Sequence, residues 1–309
     1  MPKISSQQHV LSGIFNIDKP AGMTSHDVVH LVRRASGQRR VGHAGTLDPM
    51  ATGVLVVCLG WATRLVEYLV DGRKHYRATL RLGITTDTYD AEGMILAETG
   101  GINVTEAEVS AVLRQFLGTV QQVPPMFSAI KHEGTPLYKL ARRGEWVPRT
   151  AREVRIERLD LGEWSPPYFS LEVVCSKGTY VRSLAHDIGQ KLGCGAHLAA
   201  LTRLASEPFR LEQAVALETL IEALARGRAQ ELLYPLEQAL DPFEVWVADA
   251  ESVQDILHGR AVAGPPPGRS SLVLALLRTG EPLAVLQYDT VRGMWQPAKV
   301  FNSTHGESS

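Results

Sequence analysis

The stretch that most constrains this chain covers residues 41–60, VGHAGTLDPMATGVLVVCLG. Within it a single acidic residue, Asp48, stands among small and turn-forming residues, and Pro49 follows it directly. Proline keeps the preceding residue out of the α region, and nearby glycines allow sharp turns. The apolar run 54–60 is typical of a buried strand or helix. The pattern therefore places one carboxylate on an irregular loop beside a buried element, which suits a catalytic group and equally an ordinary Asp-Pro turn.

Composition and cysteine usage limit the class of protein. The chain has 309 residues, 44% of them apolar and 21% charged, and its length predicts one large domain and a small one. Its cysteines, Cys58, Cys175 and Cys194, are odd in number and far apart, which argues against a disulfide framework or a zinc site. No apolar run approaches the ~20 residues that span a membrane. We therefore expect a cytoplasmic protein with no signal peptide and no membrane segment.

Strand and helix patterns follow one another along the chain. Apolar periodicity predicts strands over 13–20, 74–82, 154–162 and 169–176. Helical patterns, the first capped by Thr24 or Ser25, predict helices over 26–36, 62–69, 106–117, 180–192 and 211–226. The polar loop 85–93 lacks a full set of calcium ligands and predicts a solvated turn. Asp241-Pro242 marks a domain boundary, after which strand-like pieces predict a small β-rich module over 243–309.

A long irregular segment, 123–149, combines basic and aromatic side chains. Phe127, Tyr138 and Trp146 are interleaved with the basic residues Lys131, His132, Lys139, Arg142, Arg143 and Arg149. The whole of 1–150 is also basic, with 17 Lys and Arg against 13 Asp and Glu. Cations that bind phosphate and aromatic rings that stack on unpaired bases are what a nucleic-acid clamp requires. The same charges are also compatible with a solvated surface.

The chemistry that the residues allow is narrow. The chain has no phosphate-binding glycine motif, no hydrolase nucleophile elbow and no HExxH pair, and its histidines are spread out. Glycosidase chemistry needs two facing carboxylates, whereas Asp48 alone lies in the special loop, with Asp18 as a weaker second. If the chain is an enzyme, we expect it to use one carboxylate without a metal or a nucleotide cofactor.

A buried carboxylate that must stay ionised needs a cationic partner, because burial alone raises its pKa. Arg182, in the junction KGTYVRSLAHDIG, is the best candidate, although a surface helix arginine is the alternative. Tyr76, on the predicted strand KHYRATLRL, is either a core residue or a ring that packs on a planar substrate. His43 either contacts a base or phosphate or is an unremarkable loop residue.

Five long blocks carry a family resemblance: GIFNIDKPAGMTSHDVV, VGHAGTLDPMATGVLVVCLG, KHYRATLRLGITTDTYDAEG, QVPPMFSAIKHEGTPLYKLAR and CSKGTYVRSLAHDIG. In this order they resemble the bacterial TruB family, the tRNA pseudouridine-55 synthases, over about 13–240. The resemblance implies an α+β pseudouridine synthase fold over 1–242, with a mixed, mainly antiparallel sheet flanked by helices. It also implies that 123–149 is an insertion that closes on the tRNA arm. The tail, 243–309, resembles the family's PUA-like RNA-binding module.

The resemblance also assigns roles to single residues. Asp48 is implied as the catalytic nucleophile or base, Arg182 as its charge partner, and Tyr76 as the ring that stacks on the base and is a candidate to take the C5 proton. Further substrate-site positions implied are Lys19 and Pro20, which brace the loop, His43, near the flipped nucleotide, and Leu201, in the uracil pocket. We expect phosphate contacts from Lys131, Lys139, Arg142 and Arg143.

The implied reaction converts uridine 55 in the tRNA T arm to pseudouridine after base flipping. Asp48 attacks the sugar or removes the C2′ proton to start glycal formation, and the sequence leaves both routes open. The implied partner is tRNA, with no cofactor, no membrane, no required protein partner and a monomeric chain. Two alternatives stay open: a non-catalytic tRNA-binding or tRNA-folding protein, and a guide-dependent rRNA pseudouridylase of the same superfamily.

Overall fold

The computed structural model of the chain describes residues 11–240 and 243–301. The strands in these ranges are β1 (Gly13–Lys19), β2 (Val41–Ala44), β3 (Thr52–Leu59), β4 (Lys74–Leu82), β5 (Ile84–Thr86), β6 (Ile95–Glu98), β7 (Gly118–Gln122), β8 (Lys131–His132), β9 (Thr135–Pro136), β10 (Arg152–Ser165), β11 (Tyr168–Cys175), β12 (Ala196–Ser206), β13 (Phe209–Arg210), β14 (Val215–Ala216), β15 (Glu244–Val247), β16 (Leu272–Leu276), β17 (Pro282–Asp289) and β18 (Met294–Val300). The α-helices are α1 (Ser25–Ser36), α2 (Val66–Leu69), α3 (Glu106–Leu113), α4 (Leu137–Ala141), α5 (Val181–Leu192), α6 (Leu217–Ala225), α7 (Leu236–Ala239) and α8 (Ala250–Leu257).

One ten-stranded sheet organises the larger part of the molecule. Its strand order is β14-β1-β3-β12-β4-β11-β10-β7, with β2 beside β3 and β13 beside β12. Within the described ranges its pairings are antiparallel except for β1 with β14 and β12 with β3. Helices α1, α3, α5 and α6 contribute buried side chains to the core on one face of this sheet. The expected α+β architecture with a mixed, mainly antiparallel sheet is confirmed.

Strand β3 explains why the run after Asp48 is apolar throughout. Leu55 and Val57 belong to the core under the helices, whereas Val54 and Val56 belong to a second core on the opposite face. A strand that is covered on both faces has no solvent side, so its sequence does not alternate. The Asp48 loop is therefore joined to one of the most deeply buried strands of the fold.

The C-terminal part forms a separate four-stranded sheet in the order β15-β16-β17-β18, with its own apolar core. Leu274, Val285 and Phe301 also pack into the second core, where the Phe301 ring lies 5.9 Å from the Trp61 ring between centroids. The strands match the expected β-rich module, and α8 is an addition to it. The PUA-like assignment remains a prediction, and the predicted boundary at 241–242 lies outside the described residues.

Several predicted elements need correction. The helix predicted over 211–226 is wrong in its first turn, because 3-10 turn Leu211–Gln213 and strand β14 precede α6. The predicted helix over 62–69 is largely the 3-10 turn Gly60–Leu65 followed by α2. The central strand β12 was not predicted at all. By contrast, α1 begins after Thr24, whose side chain forms the expected cap. No described helix is long and apolar enough to cross a membrane.

The close approach of β3 to β12 yields a test of the fold. Gly53 has φ +96°, and a Cβ there would lie 2.3 Å from the Arg203 carbonyl oxygen. We expect Gly53→Ala to lower the free energy of unfolding by about 3 kcal/mol, because a left-handed backbone cost and an overpacking cost add. Urea denaturation followed by circular dichroism measures this.

The matched control is Gly37→Ala, since Gly37 also has positive φ, +66°, but has open space around its Cβ position. It should lose only about 1 kcal/mol, the backbone cost alone. Equal losses for the two variants would contradict the crowding at Gly53.

Candidate active site

Asp48 lies on the loop 45–51, which joins β2 to β3. Gly45 begins the loop with φ +97°, a conformation that a residue with a Cβ rarely adopts. Ser25, at the start of α1, holds the loop from outside: its hydroxyl accepts from the Leu47 N–H at 2.8 Å and donates to the Leu47 carbonyl at 3.1 Å. The Ala51 N–H donates to the Asp48 carbonyl at 3.1 Å. The backbone on both sides of the carboxylate is thus held in place.

The Lys19 ammonium ties this loop to the segment after β1. Lys19 is fully buried, and its Nζ donates to the carbonyls of Pro20 at 2.8 Å, Met23 at 2.6 Å and Pro49 at 3.3 Å. Burial lowers the pKa of Lys19 to about 8, against the opposing charge of Asp48. The Gly22 N–H also donates to the Pro49 carbonyl at 2.9 Å. The Lys-Pro turn and the Asp48 loop therefore form one hydrogen-bonded unit.

Arg182 contacts several separate segments that form the site. It is the second residue of α5, and its side chain is only 7% exposed, so it is not a surface helix arginine. Its Nη2 donates to Asp48 Oδ1 at 2.9 Å and to the Phe127 carbonyl at 2.9 Å. Its Nη1 donates to the Thr88 carbonyl at 3.3 Å and lies 3.5 Å from Asp90 Oδ2. One guanidinium thus contacts the Asp48 loop, the loop after β5 and the 123–149 segment.

The charge state of Asp48 reflects two opposing effects. Burial raises the pKa of its carboxyl above the ordinary value of 3.8, the Arg182 guanidinium opposes the rise, and the charge of Asp90 adds to it. The Asp48 side chain is still 30% exposed, so it is both paired and open to a ligand. Arginine does not release its proton in proteins, so the guanidinium favours an ionised carboxylate beside it. The arrangement supplies a carboxylate that is paired with a cation and still partly open to solvent.

Asp90 is the functional candidate that the sequence reasoning missed. The prediction of a solvated turn over 85–93 is wrong at this position, because Asp90 is 3% exposed. Its Oδ1 accepts from the Thr88 hydroxyl at 2.6 Å, and its backbone bridges to Leu198 on β12. Tyr89, at φ +66°, stacks on His186 of α5 with the ring centroids 4.0 Å apart. Since these partners are distant in sequence, no spacing in 85–93 could have indicated the burial.

Tyr76, Leu201 and His43 lie on three strands of the ten-stranded sheet. Tyr76, on β4, is 8% exposed, and burial raises the pKa of its hydroxyl, with Arg203 opposing and Asp48 adding to the rise. Leu201, on β12, is 7% exposed and pairs with Ala78, two residues from Tyr76. His43 lies on β2, and burial lowers the pKa of its imidazole. The neutral form of the His43 imidazole is therefore favoured.

The 123–149 segment has a small core of its own and is hydrogen-bonded to α5. Met126, Leu137 and Leu140 form a small core of their own. Ser183 donates to the Val123 carbonyl at 2.8 Å, and Gln122 exchanges two hydrogen bonds with the Tyr180 backbone. The four predicted phosphate-binding side chains are exposed and do not join the Asp48–Arg182 contact: Lys131, Lys139, Arg142 and Arg143. Residues 124–128, which we call the foot of the segment, are largely buried next to Arg182, whereas the basic side chains lie on its outer surface.

Comparison with known proteins shows similarity along most of the chain. A family model described as "TruB family pseudouridylate synthase (N terminal domain)" matches residues 33–181, and one described as "tRNA pseudouridylate synthase B C-terminal domain" matches 182–248. The protein named tRNA pseudouridine synthase B from Syntrophotalea carbinolica is 49% identical over 249 residues, which is 81% of each chain. The protein of the same name from Pseudomonas aeruginosa is 47% identical over 268 residues, covering 86% of this chain and 88% of the relative.

Solved structures show the same fold at lower identity. A Cbf5-Nop10-Gar1 complex contains a chain that is 27% identical, with a TM-score of 0.70, covering 94% of this chain and 84% of that one. An H/ACA RNP bound to a substrate RNA containing 2′-deoxyuridine contains a chain that is 25% identical, with a TM-score of 0.69, covering 94% and 85%.

The ion cluster predicts opposite pKa shifts for two substitutions. Arg182→Met should raise the pKa of the Asp48 carboxyl, because it removes the opposing cation, and Asp90→Asn should lower it, because it removes a neighbouring negative charge. Carboxyl ¹³C NMR titration of Asp48 measures both. Asp160→Asn, at an exposed carboxyl paired with Arg158, is the control and should change nothing.

The raised pKa of Asp48 also makes the free energy of unfolding depend on pH. Because folding raises the Asp48 pKa, this group stabilises the fold fully below its unfolded pKa and loses that contribution as the pH rises through the folded value. Arg182→Met raises this pKa further, so the free energy of unfolding should decrease more in the variant than in the wild type as the pH rises from about 3 to 7. This is the range in which the carboxyl titrates. Shifts of the same sign in the two variants would refute the arrangement.

Proposed function

The chain belongs to the TruB family of pseudouridylate synthases, and from this premise we propose that it converts uridine 55 in the T arm of tRNAs to pseudouridine. The observation that carries the proposal is the 2.9 Å contact between Asp48 and the buried Arg182, at the foot of a basic segment. The relatives named tRNA pseudouridine synthase B support tRNA as the substrate. The choice of the T arm and of position 55 rests on the resemblance of the sequence blocks.

The reaction is an isomerisation, so no group is gained or lost overall. The N1–C1′ bond breaks, the uracil turns, C5 bonds to C1′, and the proton that C5 loses is balanced by the one that N1 gains. A uridine stacked in a loop does not expose C1′ to a carboxylate, so the nucleotide must first leave the stack. The open side of Asp48 is where we place the flipped nucleotide.

Asp48 is the group that we propose acts on the sugar. It attacks C1′, or it removes the C2′ proton so that a glycal forms, and both routes start from the ionised carboxylate. Arg182 keeps that charge and fixes its direction through Nη2, while Asp90 fixes the other side of the guanidinium. We therefore assign Arg182 the role of keeping Asp48 ionised and Asp90 the role of positioning the Arg182 guanidinium.

Tyr76, Leu201 and His43 are proposed to hold the base. Tyr76 has a raised pKa, so its hydroxyl stays protonated near neutral pH and its ring is available to pack against uracil. Leu201 extends the apolar wall next to it. His43, favoured in its neutral form, is proposed to stack on or hydrogen-bond to the nucleotide.

Two other functions compete with this one. A guide-dependent rRNA pseudouridylase is suggested by the fold similarity to the Cbf5-containing complex, but the relatives at 47–49% identity carry the tRNA name. A non-catalytic tRNA-binding protein would not need the Asp48–Arg182 pair. Activity of the isolated chain on a bare T-arm stem-loop, with no guide RNA or protein, separates the first alternative from our proposal.

Replacing the Asp48 carboxylate tests its role in catalysis. Asp48→Asn should bind the T-arm stem-loop with a Kd close to that of the wild type and form no pseudouridine, because the amide cannot act as nucleophile or base. Tritium release from C5-labelled uridine measures turnover. Asp18→Asn, which changes an exposed carboxyl on β1, should keep wild-type turnover as the matched control.

Substantial turnover by Asp48→Asn would remove Asp48 from the reaction. Wild-type protein that binds the stem-loop without turnover would favour the non-catalytic alternative. Turnover that appears only with a guide RNA would favour the rRNA alternative.

Removing basic side chains of the 123–149 segment tests its role in RNA binding. Changing Lys139, Arg142 and Arg143 together to Gln should weaken T-arm binding and reduce the slope of log K against log salt by roughly 2, since each lost phosphate contact contributes ~0.7–0.9. Fluorescence anisotropy at several salt concentrations measures the slope. A control changes Arg77 and Arg158 to Gln, since both are exposed and paired with Glu172. An unchanged slope in the triple variant would exclude the segment from the contact surface.

A further inference from the structure

Arg203 is a fully buried cation that the proposed reaction does not use directly. Its residue exposure is 1%, and it is the largest of the fully buried side chains in the described ranges. Its Nε donates to the Val54 carbonyl at 2.7 Å, its Nη1 to the Thr46 carbonyl at 3.2 Å and its Nη2 to the Gly45 carbonyl at 3.2 Å. One planar side chain therefore joins the start of β3 to the loop that carries Asp48.

The backbone of Arg203 lies between two elements of the site. On β12 it pairs with Gly53 of β3 on one side and with Tyr76 of β4 on the other. Gly53 permits this because a Cβ there would overlap the Arg203 carbonyl. Arg203 is thus the residue at which the strand that follows Asp48 meets the strand that carries Tyr76.

The charge of Arg203 is not neutralised by a carboxylate. Within the described residues no acidic oxygen lies within 4.0 Å of its guanidinium, in contrast to Arg182. Burying a cation without an anion is costly, and apolar packing of similar volume is commonly at least as stable. Burial raises the pKa of the Tyr76 hydroxyl, and the charge of Arg203 opposes that rise. Packing alone does not account for a guanidinium at this position.

We propose that Arg203 is a positioning residue for the pseudouridine-forming site, which holds the Asp48 loop and Tyr76 in a fixed mutual arrangement. The two Nη bonds fix the carbonyls of Gly45 and Thr46, where the glycine would otherwise leave the loop free to turn. The Nε bond fixes the same guanidinium to β3. A nucleotide bound between Asp48 and Tyr76 then meets both groups without a further rearrangement of the loop.

The proposal rests on the proposed function, and a purely structural role for Arg203 is the alternative. Only a guanidinium presents donors to three carbonyls on two elements in one plane. A lysine keeps the charge but offers a single ammonium, so Arg203→Lys separates loop positioning from charge and folding. Arg203→Met removes both the fork and the charge.

The matched control is Lys74→Met. Lys74 lies on the same strand as Tyr76, is 5% exposed, and its Nζ donates to the Val70 and Gly72 carbonyls at 2.9 and 2.6 Å. It is therefore a second buried cation that bonds to backbone carbonyls, but these belong to the turn before β4 and not to the Asp48 loop. A loss of stability from removing a buried cation should appear in the variants of both residues. A loss of loop positioning should appear only in the Arg203 variants.

The experiment measures three quantities on the full chain: thermal unfolding, single-turnover pseudouridine formation on the T-arm stem-loop with its Kd, and hydrogen exchange of peptides over 44–50. For Arg203→Lys we expect a Kd within about threefold of wild type and a single-turnover rate about 100-fold lower, since misplacement of ~1 Å costs this much. Exchange over 44–50 should be about tenfold faster, since local opening sets this rate. Lys74→Met should leave rate and exchange unchanged.

Wild-type exchange over 44–50 in Arg203→Lys overturns the proposal, whatever the rate. A wild-type rate with faster exchange also overturns it, because the loop position would then not matter for the reaction. Should Arg203→Met fail to fold, Arg203→Lys carries the test by itself. Should the wild-type chain form no pseudouridine, the proposed function fails, and the exchange measurement still decides whether Arg203 holds the loop.

Discussion

The contact between Arg182 and Asp48 is the interaction on which the rest of the site depends. Arg182 projects from the first turn of α5 and contacts three segments that are far apart in sequence: the Asp48 loop, the loop after β5 that carries Asp90, and the foot of the 123–149 segment. A buried guanidinium has five donors and no means of losing its charge, so each of these segments must present an oxygen to it. The arginine thereby links the position of the carboxylate to that of the 123–149 segment.

The site holds its buried charges in two ways. Arg182 lies between two carboxylates, whereas the recorded hydrogen bonds of Lys19 and Arg203 in the described residues go to backbone carbonyls. Burial raises the pKa of Asp48 and lowers that of Lys19, so desolvation acts against the charged form of both. Direct pairing offsets this cost for Asp48, and carbonyl dipoles offset it for Lys19. Lys19 and Arg203 therefore contact the backbone of the loop, whereas Arg182 and Asp90 act on the charge of Asp48.

Sequence reasoning succeeded where local physics decides the outcome. The cap at Thr24 and the amphipathic α1 depend on neighbours three or four residues away, and the strand over 74–82 has a clear period of two. It failed for β12, whose run AHLAALTRLAS has a helical composition yet forms a central strand with two register shifts against β4. It failed again at Asp90, a polar residue in a polar loop. In both cases the deciding partners lie on other strands or on α5.

The sequence by itself determined the family resemblance, the loop that presents Asp48, and the mixed composition of the basic segment. These follow from residue types at fixed spacings, which are visible without coordinates. Only the tertiary structure decided that Arg182 is buried, that Asp90 lies on its other side, and that Arg203 links the loop to the Tyr76 strand. The physical reason is that burial and pairing of charge depend on partners brought together by sheet order, and β12 lies between β3 and β4 only after the chain has crossed the sheet.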